Sequence, residues 1–386
     1  MYDNFVGVDL GASSTRYVSD TGEISIVANN MVIIEPETVV DMEPYSDEIE
    51  SALDISIECD NGCEHFPVRV LVGQMAERYS ANNIKPSTMQ NKNTQRITYI
   101  SAILATALSK YKQSCKNGTA VDGDVGLYIA LPPVEAKTAK DTVREKLIGT
   151  YTVTFHKLNN YKMKFTVKDV EVYEESFMAL LSYFFEMDGK PRNTKYVQGN
   201  VLSLDIGAST TDLAVVQNMR YLEKSGQTYK TGGNIARDSL ADYIRAEYGF
   251  DAPIEMAELA IAEGRIQFGN TYRDCSEAVD RAKRALAEQV VTQIQEYFRR
   301  VNIPIQTIRA IIVSGGGSME GQYIDESGNI VKTSRPTGDF ICEELAKVCP
   351  GVDVEQNHNP RLANIQGLFV RAKLDMMAKK REAQSE

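Results

Sequence analysis

Two short stretches of the sequence combine an aspartate, a glycine and hydroxyl side chains in the same order. Residues 9–16 read DLGASSTR, and residues 205–212 read DIGASTTD. Each stretch begins at the end of an apolar run, and a glycine-containing turn after a buried strand can present backbone N–H groups and hydroxyls to an anion. The repeat, at half the length of the 386-residue chain, indicates two related halves. Two such loops predict that one polyphosphate is bound between two matching phosphate-binding loops.

A third stretch supports a phosphate or nucleotide site. Residues 308–318, IRAIIVSGGGS, read as an apolar strand that runs into three glycines, and adjacent glycines let a backbone approach a flat ligand closely. A glycine pair, Gly232 and Gly233, precedes a predicted helix whose N-terminus could face an anion. The polar stretch 320–339 is expected to be a mobile loop or an interaction surface. Each motif alone also fits an ordinary strand-to-turn junction, but the order and the repeat favour the nucleotide site.

The elements that must position these loops are strands that alternate with helices. Short apolar runs between turn signals predict strands within residues 5–10 and 16–34. Apolar residues at helical spacing predict a helix over residues 94–112, and residues 175–186 read as another helix. In the second half, residues 251–302 read as helices. This alternation predicts an α/β fold.

The order of the motifs resembles the actin/heat-shock-chaperone/sugar-kinase ATPase superfamily over nearly the whole chain. Residues 9–16 match its first phosphate motif, residues 205–212 its second, and residues 313–318 its adenosine motif. Residues 172–181 and 359–369 stand where the family has its two connecting helices. The resemblance implies an actin-like fold, with two related α/β domains, a nucleotide cleft between them and small inserted subdomains.

Within that superfamily, the chain most resembles the bacterial actins, especially the ParM-like plasmid-segregation group. The segment IAEGRIQFGNTY, residues 261–272, is also similar to a segment of the MreB group.

The resemblance and the repeat together divide the chain. We expect residues 1–194 to form the first half, with a small and mostly stranded inserted subdomain at residues 35–75. Residues 195–375 are expected to form the second half, with a helical inserted subdomain at residues 251–302. Residues 376–386 are expected to be a solvated C-terminal tail.

The resemblance implies ATP and Mg²⁺ as cofactors and leaves GTP open. Asp9 and Asp205 would hold the magnesium ion, largely through its water molecules. Arg16 takes the place of the family's phosphate-1 lysine and could reach a phosphate through two N–H groups, although a solvated strand residue is the ordinary alternative. The residues implied to contact the nucleotide are Gly11, Ala12, Ser13, Ser14, Arg16, Gly207, Ala208, Ser209, Thr210, Asp212, Gly232, Gly233, Asn234, Glu263, Gly315, Gly316, Gly317 and Ser318.

Hydrolysis needs a group that orients water. In the ParM-like group this is a glutamate at the start of the first connecting helix, where Glu174 and Glu175 are the candidates. The match to VYEES selects Glu175 as catalytic together with Asp9 and Asp205, and simple helix capping is the alternative role for this glutamate. Asp212 could assist the metal or the water, and Glu263 would accept hydrogen bonds from the ribose.

Composition bears on whether the chain is a membrane, secreted or metal-binding protein. With 43% hydrophobic residues, the chain can bury two sizeable cores, and no apolar run reaches the ~18 residues of a spanning helix. We expect a cytoplasmic protein whose six scattered cysteines are reduced thiols. Cys59, Cys63 and His65 stand close enough to suggest a metal site, but two cysteines and one histidine without a fourth partner are weak evidence for it.

The net charge of −11 argues against direct binding to nucleic acid, which needs a basic surface. The resemblance to the ParM-like group implies an ATPase that self-associates into dynamic filaments, and the charge leads us to expect that it moves a plasmid through a small DNA-binding adaptor bound to a centromere-like site, without a membrane anchor. The alternative is a metabolic phosphotransferase of the sugar-kinase or acetate-kinase branch, which needs a base poised on an acceptor hydroxyl. A chaperone ATPase would need a peptide-binding module after the ATPase.

Overall fold

The computed structural model describes residues 4–11, 14–42, 48–60, 62–79, 92, 95–118, 123–318, 321–324 and 330–385. The chain divides into two compact units. The first unit comprises residues 1–190 and 364–386, and the second comprises residues 191–363.

Among the described residues of the first unit, nine strands form one sheet in the order β3-β2-β1-β7-β9-β8-β5-β6-β4. Strands β1, β7 and β9 are parallel, and the other neighbours are antiparallel. Their bounds are β1 (Asn4–Leu10), β2 (Ser14–Ser19), β3 (Ile24–Ala28), β4 (Met31–Ile34), β5 (Ala52–Cys59), β6 (Val68–Gly73), β7 (Gly123–Leu131), β8 (Gly149–Phe155) and β9 (Tyr161–Glu174).

The helices of the first unit begin and end at recognisable signals. A proline in the first turn opens α3, and a left-handed glycine, Gly118, follows the last residue of α2. Their bounds are α1 (Gln74–Tyr79), α2 (Arg96–Asn117), α3 (Pro133–Leu147), α4 (Glu175–Phe184) and α9 (Ala363–Ser385).

Side chains along β1 alternate between two helical layers. Val6 and Val8 are buried in one cluster with residues of α2 and α3. Phe5 instead packs on Phe369 of α9, with 5.7 Å between the ring centroids, and a Cβ on Gly7 would lie 3.5 Å from the Cβ of Leu368. Because successive strand residues point to opposite faces, helices cover both faces of this part of the sheet.

The sheet of the second unit repeats the central pattern of the first. Its order is β12-β11-β10-β16-β19 with β13 beside β11, and β10, β16 and β19 are parallel. The bounds are β10 (Asn200–Ile206), β11 (Thr211–Gln217), β12 (Arg220–Tyr221), β13 (Gln227–Tyr229), β16 (Ile308–Ser314) and β19 (Asp353–Gln356). Four helices are described in this unit: α5 (Asn234–Tyr248), α6 (Ile254–Glu263), α7 (Ser276–Val301) and α8 (Thr337–Val348).

Two hairpins of the second unit differ from the sequence predictions. Residues 251–302 are not helical throughout, because β14 (Arg265–Phe268) and β15 (Thr271–Asp274) pair across a tight turn that contains Gly269 at φ +55°. The Arg265 guanidinium also lies 4.1 Å from the ring centroid of Tyr272. In the stretch expected to be a loop, β17 (Gly321–Ile324) pairs with β18 (Ile330–Ser334).

The two units and their sheets differ from the predicted domain division in three places. The first boundary lies at Lys190 and Pro191, four residues before the expected 194. The strands within residues 35–75 form no separate sheet, because β5 pairs with β8 and continues the large sheet. Residues 364–386 belong to the first unit, since Asp375 accepts a hydrogen bond from Tyr173 at 2.6 Å and Lys379 pairs with Asp169 at 3.3 Å.

The cysteine prediction is also wrong at one place. Cys59 and Cys63 form a disulfide, whereas all six cysteines were expected to be reduced. Their Cα atoms lie 5.9 Å apart, within the range that a disulfide spans. The described residues contain no cluster of three potential metal ligands, so Cys59, Cys63 and His65 form no metal site there. Among the same residues, no helix has the length and apolar character needed to cross a bilayer.

Candidate functional site

The first phosphate motif is a hairpin of β1 and β2. Asp9 is the cross-strand neighbour of Arg16, and the two side chains pair at 3.1 Å while Asp9 is only 3% exposed. The turn between the strands needs a glycine, because a Cβ on Gly11 would lie 2.6 Å from the Ser14 carbonyl oxygen. Ser14 begins β2, and Ala12 and Ser13 lie outside the described residues.

The second phosphate motif is a hairpin of β10 and β11 with the same register. Asp205 is the cross-strand neighbour of Asp212, as Asp9 is of Arg16. The turn closes through the Gly207 N–H, which donates to the Thr210 carbonyl at 2.8 Å. Ala208 and Ser209 occupy this turn. The sequence repeat is therefore a repeat of structure, down to the pairing of individual residues.

The two hairpins differ in charge at one equivalent position. Arg16 neutralises Asp9, whereas Asp212 adds a second buried carboxylate beside Asp205, with 2% and 5% exposure. Asp212 accepts a hydrogen bond from Thr228 at 2.6 Å. Directly opposed residues of an antiparallel pair share one face of the sheet, so two carboxylates stand together. Such a set of oxygens fits a hard divalent cation such as Mg²⁺.

Three glycine loops of the second unit pack backbone against backbone. A Cβ on Gly317 would lie 2.7 Å from the Gly207 carbonyl oxygen, and a Cβ on Gly232 would lie 2.6 Å from the Ala208 carbonyl oxygen. A Cβ on Gly315, which has φ +90°, would overlap the Asp205 carboxylate and the backbone of the next residue. The sequence motifs 205–212, 232–233 and 315–317 thus form one cluster.

The glycine pair before α5 serves this packing. The N–H groups of Gly233 and Asn234 donate to the carbonyls of Gly207 and Ala208 at 2.9 and 2.8 Å. The Asn234 amide also donates to the Ser209 hydroxyl at 3.1 Å. These donors are used within the protein, so the expectation that this helix end faces an anion receives no support from them.

The SGGGS motif turns sharply at the end of β16. The Ser318 hydroxyl donates to the Gly315 carbonyl at 2.7 Å, and the Gly315 N–H donates to the Pro360 carbonyl at 2.9 Å. Gly316 lies within this turn, where a Cβ would approach the side chain of Arg361 at 3.9 Å. Hydrogen bonds therefore fix this turn both within itself and to the Pro360 backbone.

Glu175 lies at the same sheet edge as Asp9. The parallel register aligns Asp9 with Ala130 and Ala130 with Tyr173, so the Cα atoms of Asp9 and Tyr173 stand about 10 Å apart by two strand spacings, and Glu175 follows two residues later. Glu175 opens α4, is 5% exposed and forms an ion pair with the buried Lys92. Glu174 is the residue before the helix.

Glu263 lies at the end of α6, away from the phosphate hairpins in sequence. It accepts a hydrogen bond from Arg265 at 2.9 Å, and α6 packs on α5 through the pair Arg237–Glu258 at 3.7 Å. Its contact with a ribose remains a prediction.

Sequence reasoning missed several buried polar residues around the loops. Lys92 pairs with Glu175, Thr228 binds Asp212, and the Asn357 amide donates to the Ser314 hydroxyl at 3.3 Å. Asn29 contacts both sides of the first phosphate turn. These residues carry no motif, and a polar residue in an apolar stretch, as in SIVANNMVII, was the only available signal.

Two family models match the chain in succession. The model described as the N-terminal domain of actin-like proteins matches residues 7–177, and the model described as the C-terminal region of an archaeal MreB-like actin homologue matches residues 203–322. The chain is an actin-like protein. Together the two matches span both phosphate hairpins and the start of α4, so the sequence-based resemblance to this superfamily is confirmed.

Solved structures show the fold of this actin-like protein over its full length. It is similar to the actin-like protein Alp7A, with a TM-score of 0.70, 18% identity and 98% of each chain covered. An archaeal actin homologue, Ta0583 in complex with ADP, has a TM-score of 0.68, 17% identity and coverage of 97% and 99%. A 15-stranded ParM filament from Clostridium botulinum has a TM-score of 0.65, 16% identity and coverage of 97% and 100%. No curated protein matches the sequence of this actin-like protein significantly.

Proposed function

We propose that this actin-like protein binds and hydrolyses ATP with Mg²⁺ and polymerises into filaments. The observation that carries the proposal is the shared register of the two phosphate hairpins, Asp9 with Arg16 and Asp205 with Asp212. Both turns offer glycine backbone and hydroxyl groups after a buried acid, which is the chemistry that a polyphosphate requires. The Ta0583 structure with ADP supports a nucleotide as the ligand.

Each group then has a separate task. The backbone N–H groups of residues 208–210 would contact the phosphates, since that of Gly207 already donates to the Thr210 carbonyl, and the sequence repeat assigns the same task to the first turn. Arg16 would share its charge between Asp9 and a phosphate oxygen. Asp9 and Asp205 would hold a magnesium ion, and Asp212 would add negative charge beside Asp205. Bound Mg²⁺ supplies neutralisation of the charge that develops on the phosphates. The glycine turn at residues 315–317 takes the base, and Glu263 takes the ribose.

We assign the orientation of the attacking water to Glu175. It stands at the edge of the sheet that also carries Asp9, on the first turn of a buried helix. An orienting carboxylate acts in the transition state and contributes little to nucleotide affinity. Glu175→Ala is therefore expected to bind ATP nearly as well as the wild type and to release phosphate about a hundredfold more slowly. Glu174→Ala is the adjacent control: loss of hydrolysis there alone would shift the assignment by one residue, and wild-type rates for both variants would place the water-orienting group elsewhere, with Asp212 the next candidate.

Filament formation and cargo are the finer part of the proposal. The similar ParM structure from Clostridium botulinum is a filament, which supports head-to-tail assembly here. The net charge of −11 disfavours direct contact with DNA, so we propose that plasmid segregation uses a basic DNA-binding adaptor. GTP is left as a second nucleotide to test.

The deciding experiment is sedimentation combined with phosphate release. Purified protein at tens of micromolar is centrifuged with ATP or GTP and with or without Mg²⁺. Head-to-tail contacts that do not close on themselves would produce filaments that pellet. We expect pelleting only with nucleotide, a critical concentration, and release of phosphate over the same time. Protein that stays in the supernatant but transfers phosphate to a sugar or acetate would establish the phosphotransferase alternative instead.

A further inference from the structure

One buried side chain joins the two sides of the first phosphate turn. Asn29 lies between β3 and β4 and is 2% exposed. Its amide nitrogen donates to the Gly11 carbonyl at 2.5 Å, and its amide oxygen accepts from the Thr15 hydroxyl at 2.7 Å. Gly11 precedes the turn and Thr15 follows it, so a single amide spans the loop.

The surroundings hold Asn29 in place. Ala28, the preceding residue, is the cross-strand neighbour of Ser14 at the start of β2. Ser101 of α2, itself fully buried, places its hydroxyl 3.5 Å from the Asn29 oxygen. An amide has both a donor and an acceptor, and the structure uses each on a different side of the turn. No other side chain type of this size offers that combination.

We infer that Asn29 is a positioning residue that presets the first phosphate turn for the phosphates of the nucleotide. The inference rests on the proposed function, because it assumes that this turn contacts a nucleotide. Hydrogen bonding of the Gly11 carbonyl fixes the peptide plane at the entrance to the turn. Fixing the Gly11 peptide before a ligand binds removes part of the ordering cost of binding, and the affinity gained comes from this preorganisation.

The test compares Asn29→Ala and Asn29→Asp with Asn30→Ala. Aspartate keeps the acceptor for Thr15 but cannot donate to the Gly11 carbonyl. Asn30 is the matched control, since its amide donates to Glu77 at 2.6 Å and to the Gly73 carbonyl at 3.4 Å, away from the turn. The probes are a fluorescent ATP analogue with Mg²⁺ for affinity and steady-state phosphate release for KM and kcat.

Both Asn29 variants are expected to bind the analogue on the order of tenfold more weakly, the effect of one to two lost hydrogen bonds. KM should rise by a similar factor while kcat stays within about twofold, because ground and transition states lose the same binding. Thr15→Ser, which keeps the hydroxyl, should bind like the wild type, and Thr15→Val should weaken binding. A role only in global stability would lower the active fraction, and hence kcat, without raising KM.

Hydrogen exchange separates this inference from the proposed function. In nucleotide-free protein, Asn29→Ala should speed exchange in peptides covering residues 10–16 and leave peptides of β7 unchanged. Wild-type protein that binds no nucleotide would refute the proposed function, while faster exchange in the variant would still support the positioning of the turn. Wild-type protein that binds ATP, with Asn29→Ala binding equally tightly, would refute the inference alone.

Discussion

One pair of equivalent residues gives the two phosphate hairpins different charges. At equivalent positions the first hairpin carries Arg16 and the second carries Asp212. The first therefore pairs its acid with an arginine, and the second places two buried carboxylates side by side, with Thr228 donating to Asp212. The two hairpins thus share a backbone register but differ in charge at this position.

Lys92 gives a first test at this scale. Lys92→Met leaves the buried Glu175 carboxylate without its lysine, and breaking a buried pair typically costs about 3–5 kcal/mol. We expect a large fall in the chemical unfolding midpoint of the variant. The double variant Lys92→Met/Glu175→Gln removes both charges and should recover much of that loss in the same urea titration. Equal midpoints for the single and double variants would show that the pair is not coupled.

His65 gives a second test, through pH. Burial beside Tyr99, with Lys146 and Arg96 adding positive charge nearby and Glu64 opposing them, holds the pKa of His65 below its usual value. The unfolded chain therefore takes up the proton first as pH falls below about 6.5, and the folded state is destabilised from there down to its own pKa.

Wild-type protein should lose more stability between pH 7.5 and pH 5.5 than His65→Gln, as measured by urea unfolding at each pH. His156→Gln, which alters a half-buried hydrogen bond to Ser56, controls for the removal of an imidazole. The same pH dependence in wild type and His65→Gln would exclude His65 as its source.

At the scale of elements, the candidate site depends on strand ends and tight turns. β1, β7 and β9 are parallel in the first unit, and β10, β16 and β19 are parallel in the second. Parallel strands end at one edge of their sheet, so Asp9 and Glu175 share an edge, as do Asp205 and Gly315. In each unit, the order of the parallel strands therefore brings together motifs that are far apart in the sequence.

Gly315 tests the packing of these turns. Gly315→Ala is expected to fail because its Cβ would overlap the Asp205 carboxylate and neighbouring backbone. Gly249→Ala is the matched control, since Gly249 also has positive φ, +75°, but opens onto free space.

The control should cost about 1 kcal/mol and Gly315→Ala about 1–3 kcal/mol more, with loss of nucleotide binding. Thermal unfolding and binding of a fluorescent ATP analogue would measure both. Equal effects of the two substitutions would mean that the loop cluster tolerates a side chain.

At the scale of the molecule, the net charge of −11 opposes association between copies. Raising KCl from about 50 to 300 mM shortens the distance over which this repulsion acts from roughly 14 to 6 Å. We therefore expect the critical concentration for nucleotide-dependent pelleting to fall with salt. A critical concentration that rises steeply with salt would instead indicate an assembly contact built on ion pairs.

The repeated hairpins, the α/β class and the superfamily could all be predicted from the sequence. Strand and turn signals are local, and the two motifs are alike enough to be recognised as the same device. Glu175 was found at the start of its helix for the same reason, since a family pattern and a helix boundary coincide there.

The partners of those residues, in contrast, depend on tertiary packing. Lys92 and Asn29 stand far from Glu175 and Gly11 along the chain and carry no motif, so their contacts depend on how strands and helices pack. The sequence predicts helix for residues 265–274, because a short segment does not distinguish the helical period of about 3.6 residues from the strand period of about 2. The pairing of β14 with β15 makes this segment a hairpin. The return of residues 364–386 to the first unit also came from long-range packing, through Tyr173 and Asp169.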